Sequence, residues 1–584
     1  MRKTKIRLPW LGESIGRDTG KKRWIREGEF EEHRFSGSLI QRVSVNRLYI
    51  FYITAFLILL VFLARLFQLT IISGRENQEL AESNRIQLIE REAERGVIYD
   101  REGKILTRSN RIYLLFKNGE EKEITKDQAQ DLEREGLASE NFEGELGRVK
   151  QEVRREYTLR EAAAHVLGYT SEIQEKDLRV NANLSSAQSI GRLGLEQTYN
   201  NFLTGRVGKK LIEVDTFGKK ISILGEEESN PGQDLYTTLD GDLQRVVFES
   251  LHNQAKSVGT KKGAVVVQNP NTGEVLALAS SPSFDPEDIG KSVSDLEKPF
   301  FNRVTQGSYP PGSVFKIVTA LAGLESELID ENTEIEDVGQ FELGGSTFSN
   351  WYFNQYGKKD GILKIQKAIA RSNDIFFYRV AEKIGLRALR EMAKELGLGQ
   401  KTGIDLPSEA VGLVPDEVWK QSAFSDNWYL GDTMHLGIGQ GFMLTTPIQM
   451  NVVTSFVASG KLTRPYLVSK IASRDEDFVE IGGKILGDSI VASHNLEFVK
   501  AGMRDACKLG GTGAPFFSAN YDVGCKTGTA ERELGNPHAW FTVFAPFDFP
   551  QIAVTVLVED GGEGSSVAAP VAKEIVDWWM ENRI

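Results

Sequence analysis

The chain has 584 residues, which is too long for one compact hydrophobic core, so two or more folded units are expected. Its 40% hydrophobic and 26% charged residues are ordinary for globular protein and argue against wholesale disorder. The net charge is −12, and because residues 1–47 are basic the rest of the chain is more acidic still, which argues against nucleic acid as a partner.

The first predicted element is a membrane-spanning helix. The segment LYIFYITAFLILLVFLA (48–64) has no charged residue, and its apolar character continues past Arg65 to Ile72. At a rise of about 1.5 Å per residue, such a helix can cross a hydrocarbon layer of about 30 Å. We therefore predict a signal anchor over residues 48–72, in preference to a buried core helix or a cleaved signal peptide. The basic tail (1–47) is expected in the cytoplasm and the rest of the chain outside.

Residues 73–230 are predicted to form an elongated α+β pedestal. A polar helix comes first and leads into short strands and turns, with DREGK (100–104) as one of the turns. Residues 117–156 are dense in charge and poor in long apolar runs, which indicates a small elaborated module. The loop GEEESNPGQD (225–234) ends this region, and we place the domain boundary near residue 230.

Residues 231–584 have the pattern of an α/β domain, more specifically an α+β domain with an antiparallel sheet flanked by helices. GAVVVQNPNTGEVLALASS (263–281) predicts a hairpin around an Asn-Thr-Gly turn. HAWFTVFAP (538–546) and QIAVTVLVED (551–560) predict a second strand pair, followed by a closing helix. Because long helical segments lie between these strand groups, we expect the first and last strands to share one sheet with helices packed on it.

Cysteine and histidine give no sign of a metal site. The chain has two cysteines, Cys507 and Cys525, and six scattered histidines without ligand spacing. The two cysteines can form a disulfide in an oxidising compartment or remain buried thiols, and the sequence leaves this open. We predict no metal and no cofactor.

The first candidate catalytic motif is GSYPPGSVFKIVTAL (307–321), which contains Ser313 and Lys316, the only Ser-x-x-Lys in the chain. Positions i and i+3 of a helix lie on one face, so the hydroxyl and the amine are neighbours. A serine is a poor nucleophile until a base removes its proton, and a lysine is that base only if its pKa is lowered. The motif alone is weak, since an N-cap serine followed by a surface lysine has the same letters.

Two further motifs strengthen the first. ARSNDIFFY (370–378) holds Ser372 and Asp374 inside a predicted helical segment, and VGCKTGTAE (523–531) holds Lys526 on a predicted strand. Another Lys-Thr-Gly begins at Lys401, but Gly and Pro punctuate that stretch and predict a loop. Alternation along a strand places Lys526 and Gly528 on one face and turns Cys525 away from it. We therefore assign the triplet at 526 to the site.

The order Ser-x-x-Lys, Ser-x-Asp, Lys-Thr-Gly resembles the penicillin-recognising serine acyl transferases, and the chain as a whole resembles a class B penicillin-binding protein. The resemblance extends through ERGVIYDREGK (94–104), GLEQTYNNFLTGRVG (194–208), GQGFMLTTPIQM (439–450) and GCKTGTAE (524–531). Asp374, where the division-type branch usually has Asn, and the HAWF segment favour the elongation-type branch. Some members of that branch bind zinc through Cys and His near this site, and this chain has neither residue there.

The resemblance implies a D,D-transpeptidase that acts on peptidoglycan stem peptides ending in D-Ala-D-Ala and is acylated by β-lactams. It implies that Ser313 is the nucleophile and Lys316 its base, that Ser372 relays a proton, and that Asp374 orients the site. The implied contacts with the substrate's terminal carboxylate come from Lys526, Thr527 and Thr529, with Gly528 leaving room for the substrate. Backbone N–H groups of Ser313 and Thr529 would form the oxyanion hole.

Residues 73–230 are too few for a glycosyltransferase domain, so we expect glycan polymerisation by a partner. In the family this is a polytopic polymerase of the shape, elongation, division and sporulation type. The alternatives are a division-type transpeptidase, a D,D-carboxypeptidase or anchored β-lactamase, and a non-enzymatic β-lactam sensor or polymerase activator.

Overall fold

The computed structural model describes residues 45–135, 137, 146–180, 184–185, 187–216, 219–473, 477–487, 490–532 and 535–584. Most of the predicted basic tail (1–47) lies outside the described residues. The chain divides into two compact units, Met1–Glu82 and Ser83–Ile584.

The strands, numbered along the chain, are β1 (Ile86–Arg91), β2 (Ile98–Tyr99), β3 (Ile105–Lys117), β4 (Glu120–Ile124), β5 (Arg148–Tyr157), β6 (Thr170–Glu172), β7 (Ser189–Gly191), β8 (Gly208–Val214), β9 (Lys220–Glu227), β10 (Asp234–Thr237), β11 (Gly263–Gln268), β12 (Val275–Ser281), β13 (Ile335–Asp337), β14 (Gln340–Leu343), β15 (Ser346–Ser349), β16 (Gly361–Leu363), β17 (Leu462–Thr463), β18 (Val468–Ala472), β19 (Phe478–Glu480), β20 (Ile485–Gly487), β21 (Gly524–Ala530), β22 (His538–Ala545) and β23 (Ile552–Val558).

The α-helices are α1 (Val45–Phe67), α2 (Gly74–Arg85), α3 (Lys126–Arg134), α4 (Ala164–Leu167), α5 (Glu175–Val180), α6 (Gly194–Thr198), α7 (Asn200–Leu203), α8 (Gly241–Ser257), α9 (Lys316–Glu325), α10 (Trp351–Tyr356), α11 (Ile365–Arg371), α12 (Asp374–Glu395), α13 (Glu417–Phe424), α14 (Leu430–Gly437), α15 (Pro447–Ser459), α16 (Ser493–Ala506) and α17 (Ala568–Asn582).

The predicted membrane segment is one apolar helix. Helix α1 continues into a π-helical turn over Gln68–Ile72, and the span Asn46–Ile72 has 27 residues with no buried side chain. At about 1.5 Å per residue this length exceeds the hydrocarbon thickness of a bilayer. Its length, apolar surface and position near the N-terminus are those of a single-pass membrane anchor.

The sheet that supports the candidate site has the strand order β12-β11-β23-β22-β21, and every pairing in it is antiparallel. The predicted hairpin and the predicted C-terminal strand pair are therefore confirmed, and they meet where β11 pairs with β23. Alternate residues enter different cores. Val266 belongs to the core that includes α9 and α15, whereas Val265 and Val267 belong to the core with α8 and α17. Helices thus cover both faces, which explains why β11 is apolar over residues 264–267.

Strands from both sides of residue 230 share a second sheet. Its order is β19-β18-β10-β2-β3-β4, with β5 paired to β3, and β10 runs parallel to β2. Strand β10 follows the predicted boundary yet pairs with a strand of the predicted pedestal. The boundary near residue 230 stays a prediction.

Candidate active site

The Ser-x-x-Lys motif lies at the start of a buried helix. Residues Gly312–Phe315 form a 3-10 turn that leads directly into α9, so Ser313 precedes Lys316 by one turn. Gly312 has a φ of 55°, and a Cβ at this position would lie 2.7 Å from the carbonyl oxygen of Thr529. This turn is thus pressed against strand β21. Ser313 remains half-exposed, whereas the Lys316 side chain is fully buried.

The segment with Ser372 and Asp374 is not one helix, as the sequence predicted, but two. Helix α11 ends at Arg371, Ser372 takes a left-handed conformation (φ 53°, ψ 36°), and α12 begins at Asp374. The Asn373 side chain accepts a hydrogen bond from the Phe376 N–H (2.9 Å), which makes it the N-cap of α12. The cap competes with continuous helix, and the break turns the Ser372 carbonyl oxygen to 2.7 Å from Lys316 Nζ.

Ser372 lies between two buried amines. The Lys526 amine donates hydrogen bonds to Ser372 Oγ at 2.7 Å and to the Thr527 carbonyl oxygen at 2.9 Å. Lys316 Nζ lies 3.4 Å from the same Ser372 Oγ. The structure therefore brings together one residue from each of the three motifs.

Asp374 is held on two sides. Its Oδ1 accepts a hydrogen bond from Lys316 Nζ at 2.6 Å, and its Oδ2 accepts one from the Trp351 backbone N–H at 2.8 Å. The Asp374 N–H donates to Asn350 Oδ1 at 3.1 Å. Sequence reasoning left Trp351 unassigned and missed Asn350, since neither stands in a motif.

Burial lowers the pKa of both lysines. For Lys316 the loss of hydration is the largest cause, and the carboxylate of Asp374 works in the opposite direction. The pKa of Lys526 lies well below its usual 10.5, first because of burial and second because of the charge on Lys316. Repulsion between the two lysines contributes to the low pKa of Lys526, but desolvation is the larger cause at both lysines.

Residues 527–529 lie on β21, the edge strand of the sheet, where Thr527 and Gly528 are buried and Thr529 is half-buried. Thr527 Oγ1 donates to Thr512 Oγ1 at 2.8 Å, and Thr529 Oγ1 donates to Glu563 Oε2 at 2.9 Å. A Cβ on Gly528 would lie 2.9 Å from Trp540 Cβ and 3.0 Å from Val314 Cγ1, so only glycine fits. Thr512 and Glu563 were not found from the sequence, because they lie in loops without a motif.

Cys507 and Cys525 form a disulfide with their Cα atoms 5.8 Å apart. The sequence left open whether the two cysteines form a disulfide or remain buried thiols, and the structure has the disulfide. The predicted direction of Cys525 is confirmed, because its side chain enters the core with α17 and not the cleft. The link joins the strand of Lys526 to the end of α16.

The second Lys-Thr-Gly lies in a loop after α12, as predicted. Lys401 is exposed, and the N–H groups of Thr402 and Gly403 donate to the two carboxylate oxygens of Glu409 at 2.7 and 3.1 Å. These contacts stabilise a turn. The assignment of the triplet at 526 is consistent with this geometry.

Within the described ranges, no group of three or more His, Cys, Asp or Glu side chains could hold a metal ion. The cysteines are joined to each other, and His538 Nδ1 accepts a hydrogen bond from the Asp560 N–H at 3.2 Å. The expected absence of a metal stays a prediction.

Two family descriptions match the chain. Residues 263–577 match the penicillin binding protein transpeptidase domain, and residues 121–237 match the penicillin-binding protein dimerisation domain. The first match covers more than half of the chain and contains Ser313, Lys316, Ser372, Asp374 and Lys526.

The curated relatives include the peptidoglycan D,D-transpeptidase MrdA of Haemophilus influenzae, which is 34% identical over 475 residues, covering 75% of this chain and 71% of that protein. A structure of a PBP2–MreC complex from Helicobacter pylori has a TM-score of 0.70 at 27% identity, covering 85% of this chain and 100% of that one. A chain from a peptidoglycan synthase complex, described as coordinating polymerisation and crosslinking, has a TM-score of 0.73 at 27% identity, covering 92% and 98%.

Proposed function

Because the chain belongs to the class B penicillin-binding proteins, we propose that it is a serine D,D-transpeptidase that cross-links peptidoglycan stem peptides during cell elongation. The observation that most directly supports this function is the meeting of Lys316, Ser372 and Lys526 beside the 3-10 turn that holds Ser313. The same acylation step makes the protein a target of β-lactams.

In the first half-reaction, Ser313 Oγ attacks the carbonyl carbon of the penultimate D-Ala, and Lys316 accepts the hydroxyl proton. The lowered pKa of Lys316 supports this role, since only its neutral amine is a base. The bond to the terminal D-Ala breaks, and the departing amine takes a proton through Ser372 Oγ, which is hydrogen-bonded to Lys526 and 3.4 Å from Lys316. The products are an acyl-Ser313 ester and free D-Ala.

The second half-reaction uses the same groups in reverse. A side-chain amine of another stem peptide attacks the ester carbonyl, its proton leaves through Lys316 and Ser372, and Ser313 regains its hydroxyl hydrogen. The backbone N–H groups of Ser313 and Thr529 stabilise the oxyanion in both steps. The close packing of Gly312 against Thr529 supports this pairing of donors.

Binding of the donor's terminal carboxylate is assigned to the edge of the sheet at β21. Thr527 and Thr529 supply hydroxyl groups there, and Lys526 contributes the electrostatic field. Gly528 is required by packing, since a side chain there would meet Trp540 and Val314, and its place beside the substrate backbone stays a prediction.

The membrane anchor sets the location of this chemistry. Basic residues precede the apolar helix, so the N-terminus is proposed to stay in the cytoplasm and residues 73–584 to lie outside. The proposed domains are the tail (1–47), the anchor (48–72), the pedestal (73–230) and the transpeptidase domain (231–584). The partner is a polytopic glycan polymerase of the shape, elongation, division and sporulation family, and the similarity to a chain of a peptidoglycan synthase complex supports it.

The test is labelling with a fluorescent penicillin. Wild type and Ser326→Ala should be labelled equally, because Ser326 lies at the far end of the same helix, and Ser313→Ala should not be labelled. Equal labelling of Ser313→Ala would end the proposal. Turnover of a D-Ala-D-Ala peptide with and without an amine acceptor then separates transfer from hydrolysis.

A further inference from the structure

A buried carboxylate outside the three motifs lies at the centre of the loops behind Asp374. Asp337 ends strand β13, and its side chain is only 2% exposed. Its Oδ2 accepts hydrogen bonds from Asn350 Nδ2 (2.9 Å), Asn373 Nδ2 (3.0 Å) and the Asp360 N–H (2.8 Å). Its Oδ1 accepts one from the Gly339 N–H at 2.8 Å. Four donors on one carboxylate fix its position.

The two asparagines bonded to Asp337 both hold Asp374. Asn350 turns its amide oxygen to the Asp374 N–H, and the next residue, Trp351, donates its N–H to Asp374 Oδ2. Asn373 directly precedes Asp374 and is the N-cap of α12. Asp337 is therefore connected to the Lys316 amine through one asparagine and one aspartate.

Asp337 and the neighbouring Asp360 differ in their charged partners. Asp360 shares the Asn373 amide at 3.1 Å but is already paired with Arg371 at 2.9 Å. In the part of the chain that the structure describes, no cation is recorded as a salt-bridge partner of Asp337. The two oxygens of Asp337 accept all four hydrogen bonds, three on Oδ2 and one on Oδ1. An asparagine at this position has only one acceptor oxygen, so its NH2 group would face a donor on one side of the cluster.

We propose that Asp337 is a positioning residue for the acyl-transfer reaction: it orients Asn350 and Asn373 so that the break at Ser372 and Asn373 keeps the Asp374 carboxylate on Lys316. This inference rests on the proposed function. It assigns to Asp337 no contact with substrate, only control of the geometry of the base. A shift of about 1 Å at a catalytic group costs on the order of 100-fold in rate.

The first test replaces the carboxylate with Asp337→Asn. We expect the acylation rate constant k2 for a chromogenic cephalosporin to fall about 10- to 100-fold with little change in its dissociation constant before acylation. The acidic limb of the pH profile of k2 should move to lower pH. A displaced Asp374 carboxylate stabilises the charged form of Lys316 less well, so the pKa of Lys316 falls. Asp330→Asn, an exposed carboxylate in the turn before β13, should leave k2 and the profile unchanged.

The second test is a double-mutant cycle with Asn350→Ala. If Asp337 acts through Asn350, the double variant should lose much less in k2 than the product of the two single losses. Multiplicative losses would overturn the proposal, as would an Asp337→Asn protein whose melting temperature falls while k2 and the pH profile stay at wild type.

If Asp337→Asn does not fold, Asn350→Ala decides alone, and a wild-type k2 and acidic limb in that variant would overturn the proposal. Failure of the proposed function can be told apart from failure of the Asp337 proposal. It would appear as penicillin labelling of Ser313→Ala, in a protein that keeps Asp337.

Discussion

Lys526 and Ser372 are 154 residues apart in the chain, and the amine of the first donates a hydrogen bond of 2.7 Å to the hydroxyl of the second. This contact joins strand β21 to the break between α11 and α12. It also places two amines on one hydroxyl, since Lys316 Nζ lies 3.4 Å from the same oxygen. Ser372 Oγ therefore connects the two amines.

The Lys526→Met variant tests the cost of the buried amine. We expect penicillin acylation to fall about 100- to 1,000-fold, because the buried amine and its hydrogen bond to Ser372 are both lost. Lys401→Met, an exposed lysine of the look-alike triplet, should acylate as wild type does.

Replacing Lys526 should also change how the stability of the protein depends on pH. The folded-state pKa of Lys526 is lowered, so between that pKa and 10.5 the unfolded chain holds a proton that the folded chain lacks. Stability from this group therefore rises with pH across that window. Melting temperatures measured from pH 7 to 10 should rise more steeply for wild type than for Lys526→Met, and parallel curves would contradict the lowered pKa.

The Asp374→Asn variant tests the carboxylate on Lys316. An amide oxygen can still accept a hydrogen bond from the amine, but the negative charge that raises the pKa of Lys316 is removed. The base then becomes neutral at lower pH, so the acidic limb of k2 should move to lower pH. We expect a loss of less than about 10-fold at the optimum, because the hydrogen bond remains. A limb that moves to higher pH would refute this electrostatic account.

The Gly312→Ala variant tests the contact between the Ser313 turn and β21. A left-handed φ costs a non-glycine residue about 1 kcal/mol, and here the new Cβ would also press on the Thr529 carbonyl at 2.7 Å. Gly344 has a similar φ of 58° with no atom within 4 Å, so Gly344→Ala isolates the cost of the backbone.

We expect Gly312→Ala to be less stable than Gly344→Ala by about 1–3 kcal/mol and to lose most of its penicillin labelling. Denaturant unfolding and labelling of the two variants measure the difference. Equal stability and full labelling would show that the turn is free to move away from β21.

The Cys507→Ser/Cys525→Ser variant tests the cross-link behind Lys526. Removing a disulfide that closes a loop of this size costs about 2–4 kcal/mol, largely through the freedom gained by the unfolded chain. The same cost should appear when wild type unfolds in the presence of a reductant. The double-serine variant is the control, because a reductant should not change its unfolding, and an unchanged wild type would mean that the thiols are free.

Local sequence was sufficient for the elements whose pattern is itself local. The uncharged run at 48–64 predicted the anchor helix, and the apolar runs on either side of Asn-Thr-Gly predicted the hairpin of β11 and β12. The choice between the two Lys-Thr-Gly triplets also followed from local context, since Gly and Pro around Lys401 oppose a strand and the residues around Lys526 favour one.

Three features depended on contacts between distant residues. The sequence around Ser372 predicts one continuous helix and gives no sign of the break. The break depends on the Asn373 cap and on the contact of the Ser372 carbonyl oxygen with Lys316, which lies in another helix. The disulfide required Cys507 and Cys525 to be brought within bonding distance by the packing of α16 on β21. Asp337 and Asn350 belong to no motif, since their importance arises only from what lies around them.

By itself, then, the sequence determined the anchor and the core strands, because these follow from periodicity and short-range order. Its motifs carried the resemblance that implied the family and the reacting groups. The tertiary structure alone decided which groups touch: burial of two lysines lowers their pKa, a broken helix places a hydroxyl between them, and a buried carboxylate holds that break. Desolvation and hydrogen-bond geometry depend on neighbours in space, and a linear pattern does not contain them.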